Sequence, residues 1–297
     1  MNKSDSAGKL HQFYTCKALH ILFPKADIHT PLLLEQHTND FRVQEINSLK
    51  KIGRLTAKLI SSRTLEEIVS VRDVGTVNDA IENTDDIEIT TSSGGVETYS
   101  LKCAKKNLSL SLVLSKNPGA KSLITKYYRS PELQQAFNTA LDELHLKFLN
   151  SIIQTDTTTI KAARTAIRAL SSARNLGKPR FANFPTANSS RDVFLASLRD
   201  KLKGCLSNMS NTDLANAINL ILDTGKNHIL ACYKSGSENV HFDRIPFKNE
   251  SDIHGFELRG NDSVCIKTSD YIVGFRFKFE SDICSSIKLV GDYKQSD

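Results

Sequence analysis

Two short runs of alternating polar and apolar residues, separated by a Ser-Ser-Gly-Gly break, constrain the fold of this chain more than any other feature. The first run, residues 85–89, reads Asp-Asp-Ile-Glu-Ile, and the second, residues 96–102, reads Val-Glu-Thr-Tyr-Ser-Leu-Lys. Alternation with a period of two is typical of β-strands, and glycines between two such runs are typical of a hairpin turn. The sequence therefore predicts a β-hairpin over 85–102.

The hairpin would bring two carboxylates, a hydroxyl and an ammonium group close together, because residues two apart share one face of a strand. Asp86 and Glu88 share a face on the first strand, while Thr98, Ser100 and Lys102 share a face on the second. The apolar residues between them would form the core side. Two carboxylates, a hydroxyl and an ammonium group suit metal-assisted chemistry on phosphodiesters. Carboxylate oxygens bind Mg²⁺, the metal lowers the pKa of a bound water, and a lysine stabilises charge on the phosphate.

This hairpin resembles the PD-(D/E)xK nuclease superfamily, which includes many type II restriction endonucleases. In that pattern an acidic residue starts one strand, and a (D/E)-x-K triplet lies on the next. Asp86 stands at the first position, after Asp85 where the pattern has proline, and Lys102 ends the triplet 100–102. The resemblance implies that Asp86 binds Mg²⁺, that Lys102 is the catalytic lysine, and that in-line attack by water leaves a 5′-phosphate. It covers residues 85–102 only.

Ser100 departs from the pattern, which has Asp or Glu at this position. Some restriction enzymes of the superfamily carry such a serine and take the second carboxylate from elsewhere. The resemblance then implies that Ser100 is a polar neighbour in the catalytic site and that Glu88 is the second metal ligand. A carboxylate from a helix, Glu45 or Glu66, is the open alternative.

The signs of the charges reverse inside the hairpin. Residues 75–97 hold six acidic side chains and no basic one, and residues 101–129 hold seven basic side chains and no acidic one. Such segregation is costly in a compact fold unless something lies between the charges. A metal ion on the acidic half and a phosphate backbone on the basic half would satisfy both. The alternative is a surface hairpin whose charges are only solvated.

Basic residues elsewhere are candidates for contact with DNA. Residues 116–122 form a predicted turn whose lysines and backbone N–H groups suit a phosphate. The predicted helix over 158–175 is basic, and no acidic residue occurs from 157 to 180. Such a helix suits phosphates or a DNA groove, with a solvated face as the alternative. In the C-terminal β region, buried phenylalanines would leave a basic outer face. The candidate DNA-binding residues are Lys105, Lys116, Lys121, Lys161, Arg164, Arg168, Arg276 and Lys278.

Composition limits the class of protein. The chain has 297 residues and a formal net charge of +6, which fits a nucleic-acid partner. No run of 18 apolar residues predicts a membrane span, and the polar N-terminus does not resemble a signal peptide. Six scattered cysteines predict reduced thiols in a cytoplasmic protein. No glycine-rich nucleotide loop occurs, so no nucleotide cofactor is expected.

The periodicities predict an α/β fold of the mixed α+β type, and the resemblance implies a restriction-endonuclease-like central mixed sheet flanked by helices. Three regions are expected: N-terminal helices with the nuclease hairpin over 1–130, a helical insertion over 131–226, and a β-rich part over 227–297. Predicted helices are a short one ending before Pro24, 41–62 with Asp40 as N-cap, 65–71, 131–153, 158–175, 192–206 and 211–222. Predicted strands besides the hairpin are 108–114, 228–233, 239–247, 263–268, 271–280 and 285–290.

These observations favour a Mg²⁺-dependent, type II-like restriction endonuclease that cuts double-stranded DNA at a specific sequence, as a homodimer with one active site per strand. The first alternative is a non-catalytic DNA-binding or regulatory protein, which the serine at position 100 favours. The second is a different enzyme or a structural protein in which the hairpin is merely surface. The three hypotheses differ in whether DNA is bound and whether it is cut.

Overall fold

The computed structural model describes residues 3–29, 32–74, 85–110, 114 and 118–295. Contacts divide the chain into two compact units. The first contains the described residues within Met1–Val113 and Gly225–Pro246, and the second those within Leu114–Thr224 and Phe247–Asp297. The second unit is thus inserted into, and continues after, the first. The sequence predicted divisions at residues 130 and 226, whereas the contacts place residues 227–246 in the same unit as the N-terminal part of the chain.

A six-stranded mixed sheet forms the centre of the first unit, as the predicted fold class requires. Its strands lie in the order β1 to β6, with β1 parallel to β2, β4 parallel to β5, and the other neighbours antiparallel. The strands are β1 Asp27–His29, β2 Ile68–Asp73, β3 Ile87–Thr91, β4 Val96–Ala104, β5 Asn227–Cys232 and β6 Asn239–Asp243. The predicted hairpin is confirmed as β3 and β4, and its turn contains Gly94 at φ +83°. That left-handed conformation favours glycine.

Two helices pack on this sheet: α1, Lys3–Leu22, and α2, Val43–Arg63. Every residue from Leu10 to Cys16 is buried, which makes α1 a central helix rather than a surface one. Its apolar side chains join those of the hairpin, including Ile87, Ile89, Tyr99 and Leu101. The core face predicted for the hairpin is therefore correct.

In its described residues, the second unit combines five α-helices with a four-stranded antiparallel sheet in the order β10-β9-β8-β7. Its elements are α3 Ala120–Tyr127, α4 Pro131–Ile153, α5 Ile160–Ala173, α6 Ala187–Ser207, α7 Asn211–Ile221, β7 Ile253–Arg259, β8 Ser263–Thr268, β9 Tyr271–Phe279 and β10 Ile287–Gln295. Phe275 and Phe277 are buried, as the alternation in β9 predicts. Aromatic rings of α4, α6 and β9 contact one another around His145.

Several local predictions are wrong. Residues 65–71 are not a helix: Ile68 begins β2, in which a bulge lets both Ile68 and Val71 face the core, three residues apart. The N-cap of α2 is Arg42, whereas Asp40 accepts a hydrogen bond from Ser6 Oγ at 2.5 Å.

Other predictions differ in extent. The short helix before Pro24 is in fact the 20-residue α1, and strand β7 was not predicted. Residues 111–113 of the predicted strand 108–114 lie outside the described residues, and its described residues, 108–110 and 114, are not a strand. Among the described helices, none combines the length and apolarity needed to cross a bilayer.

Candidate active site

Asp86 lies immediately before β3, where the chain enters the sheet beside β4. Its N–H donates to the carbonyl of Tyr99 at 2.8 Å, which fixes the backbone against β4. Its carboxylate accepts the N–H of Leu101 at 2.6 Å on Oδ2 and the amide Nε2 of Gln12 at 2.5 Å on Oδ1. The position of Asp86 is thus set by β4 on one side and by α1 on the other.

Lys102 is the second residue that the structure brings to this point. Its Nζ lies 3.7 Å from Asp86 Oδ2. The Asp86 side chain is 14% exposed and the Lys102 side chain 32%, so solvent reaches both. A carboxylate and an ammonium group therefore stand side by side, partly open, at the position that the sequence predicted.

Ser100 precedes Lys102 by two residues in β4 but is fully buried. It stands in β4 opposite His228 of the parallel strand β5, and His228 is fully buried as well. Within the described part of the chain, Ser100 Oγ has no hydrogen-bond partner. Ser100 is thus a buried hydroxyl in β4, two residues before Lys102.

Glu88 follows Asp86 by two residues and is half-buried in β3. In the sheet it stands opposite Arg72 of β2 and Thr98 of β4. Because β3 begins at Ile87, Asp86 lies outside the regular strand, and its carboxylate turns to the main chain of β4. Throughout the described residues, no three His, Cys, Asp or Glu side chains lie close enough together to hold a metal ion.

The two helix alternatives for the second carboxylate have other partners. Glu45, at the start of α2, pairs with Lys105 and with Lys3, the latter at 3.1 Å. The hydrogen bond from Lys105 and that from the Arg42 N–H lower the pKa of Glu45 to about 2. Glu66 follows α2 and accepts a hydrogen bond from Ser93 in the hairpin turn, at the far end of β3 from Asp86.

The charges segregated along the sequence are partly paired in space. Asp85 lies 3.8 Å from Lys226, which directly precedes β5. Lys105 pairs with Glu45, and in the second unit Lys121 pairs with Asp142 at 2.5 Å. Ion pairs with residues distant in sequence therefore neutralise part of the charge that, in the sequence prediction, a metal ion and DNA would neutralise.

The candidate DNA-binding residues occupy different environments. Lys161 and Arg168 are exposed on α5, but Arg164 between them donates to the carbonyl of Ser285 at 3.0 Å. Burial lowers the pKa of the Arg164 guanidinium. Arg276 is exposed on β9 and Lys278 is half-buried. Lys116 lies outside the described residues.

The donor set at Asp86 fits a hydrated Mg²⁺ ion better than a metal held in an all-protein cage. Mg²⁺ keeps several waters and binds through one or two carboxylates plus substrate phosphate. A partly exposed Asp86 carboxylate, oriented by two N–H donors, offers such a ligand. A tetrahedral site built from cysteine and histidine has no matching cluster in the described chain.

The sequence prediction missed the hydrogen bond from Gln12 to Asp86 at this site. The only signal was a polar residue next to apolar ones in a helix, and that pattern does not show which strand the residue reaches. The sequence separation between Gln12 and Asp86 is 74 residues. Such a contact depends on how α1 packs on the sheet, which local periodicity does not specify.

The chain is similar to the type II restriction enzyme BsuRI of Bacillus subtilis. The two are 25% identical over 278 residues, which cover 90% of this chain and 46% of that enzyme. The chain thus spans about half the length of this relative. No protein-family model and no solved structure matches it. The similarity extends over both units and supports a relationship to restriction endonucleases well beyond the residues of the hairpin.

Proposed function

We propose that this protein is a Mg²⁺-dependent restriction-type endonuclease of the PD-(D/E)xK class, which hydrolyses phosphodiester bonds of double-stranded DNA at a specific sequence. The observation that carries the proposal is the partly exposed Asp86–Lys102 pair on the β3–β4 hairpin. The similarity to a type II restriction enzyme over nearly the whole chain supports the same reaction class.

In this proposal Asp86 binds the cation, and its carboxylate is held for that purpose by the Leu101 N–H and the Gln12 amide. Donors that are fixed before the reaction need no reorganisation when charge develops. The Mg²⁺ ion, when bound, polarises the phosphoryl group and lowers the pKa of a coordinated water. Glu88 is the second ligand in this proposal, through water or after a change of rotamer.

Lys102 has two tasks in this proposal. Its ammonium lies 3.7 Å from Asp86 Oδ2, which holds the side chain at the site before DNA arrives. With a phosphate in place, the same ammonium donates to a non-bridging oxygen and stabilises the additional negative charge of the transition state. Ser100 is a buried polar neighbour in this proposal.

DNA binding is assigned to basic residues of both units. Lys105 directly follows β4 and pairs with Glu45. The exposed cations of the second unit are Lys121, Lys161, Arg168 and Arg276. Phosphate contacts by such cations position the duplex and make binding weaken steeply with salt. A homodimer would place one active site on each strand, as two-fold symmetric sites require.

Two observations favour a non-catalytic DNA-binding protein as second candidate. The family's second carboxylate is replaced by a buried serine, and the described residues contain no cluster of three metal-ligating side chains. This candidate predicts salt-sensitive DNA binding without cleavage, and no effect of Asp86→Ala on DNA affinity.

The test is cleavage of a phage genome by the purified protein, with and without Mg²⁺, alongside Asp86→Ala and Lys102→Ala. Asp156→Ala and Lys201→Ala are matched controls, because these residues are exposed in the second unit and far from the hairpin in sequence. Discrete bands that need Mg²⁺, disappear in both site variants and persist in both controls are the expected result.

Two other outcomes separate the candidates. Bands that survive Asp86→Ala or Lys102→Ala would keep the nuclease and refute the site. Intact DNA with salt-sensitive binding would favour the non-catalytic candidate. Cleavage by a species with the mass of two chains, measured by light scattering, tests the homodimer.

A further inference from the structure

The nitrogen of the Gln12 carboxamide makes a hydrogen bond, whereas its oxygen makes none among the described residues. Its Nε2 donates to Asp86 Oδ1 at 2.5 Å. Its Oε1 is buried and has no hydrogen-bond partner among the described residues. The whole residue is 3% exposed. Buried polar atoms normally have a partner, so an exception next to a candidate metal ligand calls for an explanation.

The surrounding structure holds Gln12 firmly in place. The helix on which it lies is buried over Leu10–Cys16. Two polar neighbours on the same helix are tied to the structure: His11 Nε2 contacts Thr56 Oγ1 at 2.8 Å, and Thr15 Oγ1 donates to the His11 carbonyl at 2.8 Å. His11 Nδ1, like Gln12 Oε1, is buried without a hydrogen-bond partner among the described residues, but it has no contact with Asp86 among the hydrogen bonds of the described chain. The amide oxygen of Gln12 is therefore a pre-positioned acceptor beside Asp86.

We infer that Gln12 is a positioning residue for the cation that Asp86 binds: its amide N–H fixes Asp86 Oδ1, and its Oε1 accepts a hydrogen bond from a water of the hydrated ion. This inference rests on the proposed function. A hydrated Mg²⁺ ion presents water O–H donors at hydrogen-bonding distance from its carboxylate ligands. Such a water would satisfy the buried oxygen, and α1 would thereby supply an outer contact at a site that lacks the family's second carboxylate.

The test measures metal binding without DNA and without cleavage. Free Mn²⁺ is titrated with protein and followed by its electron paramagnetic resonance signal. Gln12→Met keeps the length of the side chain and removes the amide, and it is expected to weaken Mn²⁺ binding roughly 10- to 100-fold, the usual effect of losing a contact to a metal ligand or its water. Asp86→Ala is expected to abolish this binding.

Two further variants distinguish positioning from folding. Gln134→Met is the matched control, because the Gln134 amide donates to the carbonyl of Tyr128 at 2.8 Å in the second unit. It is expected to leave the Mn²⁺ affinity unchanged. Gln12→Glu keeps an oxygen acceptor, loses the N–H donor to Asp86 and adds a negative charge. Recovery of Mn²⁺ affinity relative to Gln12→Met is expected, because it requires an oxygen at this position to reach the cation or its water, which a role confined to packing would not produce. Circular dichroism compares the folding of all variants.

The outcomes separate this inference from the proposed function. Wild-type Mn²⁺ affinity in folded Gln12→Met would overturn the inference, whether or not the enzyme cleaves DNA. Failure of the wild type to bind Mn²⁺ in an Asp86-dependent manner would overturn it too. Weakened binding in Gln12→Met that Gln12→Glu restores supports it, even if no DNA is cleaved, and in that case only the proposed function fails.

Discussion

Gly53 of α2 lies against the backbone of α1 at Tyr14 and Thr15, and its replacement by alanine is a sharp test of that packing. A Cβ at position 53 would lie 2.6 Å from the Cβ of Tyr14, 2.8 Å from the Tyr14 carbonyl carbon and 3.0 Å from the Thr15 nitrogen. Carbon atoms pack at about 3.5 to 4.0 Å. Two of the three atoms are backbone, so no rotamer change relieves the clash and one helix must move by roughly 1 Å.

Two opposing terms set the size of the effect. Replacing glycine by alanine inside a helix stabilises by roughly 0.5 to 1 kcal/mol. Overpacking of a core costs roughly 1 to 3 kcal/mol. The second term is larger, because the contact is with backbone, and Gly53→Ala is expected to lower the free energy of unfolding by about 1 to 2 kcal/mol.

The measurement is urea denaturation followed by circular dichroism, with Gly8→Ala as matched control. Gly8 also lies in a helix, but a Cβ there would meet nothing within 4 Å. Gly8→Ala is therefore expected to stabilise by up to about 1 kcal/mol. If Gly53→Ala is as stable as the wild type or more stable, the described approach of the two helices is wrong.

Two further predictions concern the second unit. Burial lowers the pKa of His145 from 6.5 to about 4, so the free energy of unfolding is highest above pH 6.5, where His145 is neutral in both states, and falls as the pH falls toward 4. In urea denaturation, His145→Phe should therefore stabilise the protein by about 2 kcal/mol more at pH 5 than at pH 7.5. An equal effect at both pH values would contradict this. The Lys248 side chain is 3% exposed, and its Nζ contacts both oxygens of Asp270 at 2.7 Å. Lys248→Ala should therefore lower the free energy of unfolding by roughly 1 to 3 kcal/mol. Lys121→Ala, at an exposed pair with Asp142, should cost at most about 1 kcal/mol, and thermal melts that rank the two variants the other way would refute the assignment.

The hairpin was predictable because its signals are local. Alternation gives the faces of β3 and β4, and a glycine suited to positive φ gives the turn. The same signals place Asp86 and Lys102 near each other, at a distance found to be 3.7 Å. The mixed α/β class followed from the same kind of periodicity, summed over the chain.

The rest of the site depends on tertiary contacts that local patterns do not encode. The bond from Gln12 to Asp86 requires α1 to lie over the sheet, and Ser100 is buried because β5 returns beside β4. The spacing of Ile68 and Val71 imitates a helix, but β-branched residues favour strands and a bulge reconciles the spacing with one face. Likewise, the ion pairs join charged residues that lie far apart in the sequence, and local patterns do not show such pairing.

The interruption of the six-stranded sheet has a consequence for biosynthesis. β4 ends at Ala104 and its parallel neighbour β5 begins at Asn227, so about 120 residues are translated between two adjacent strands. At roughly 5 to 20 residues per second, this delay is roughly 6 to 24 s. During it, the β4 edge that includes Ser100 has no partner strand. The hairpin segment that contains Asp86 and Lys102 therefore emerges from the ribosome early, whereas the six-stranded sheet is complete only after Asp243 has followed.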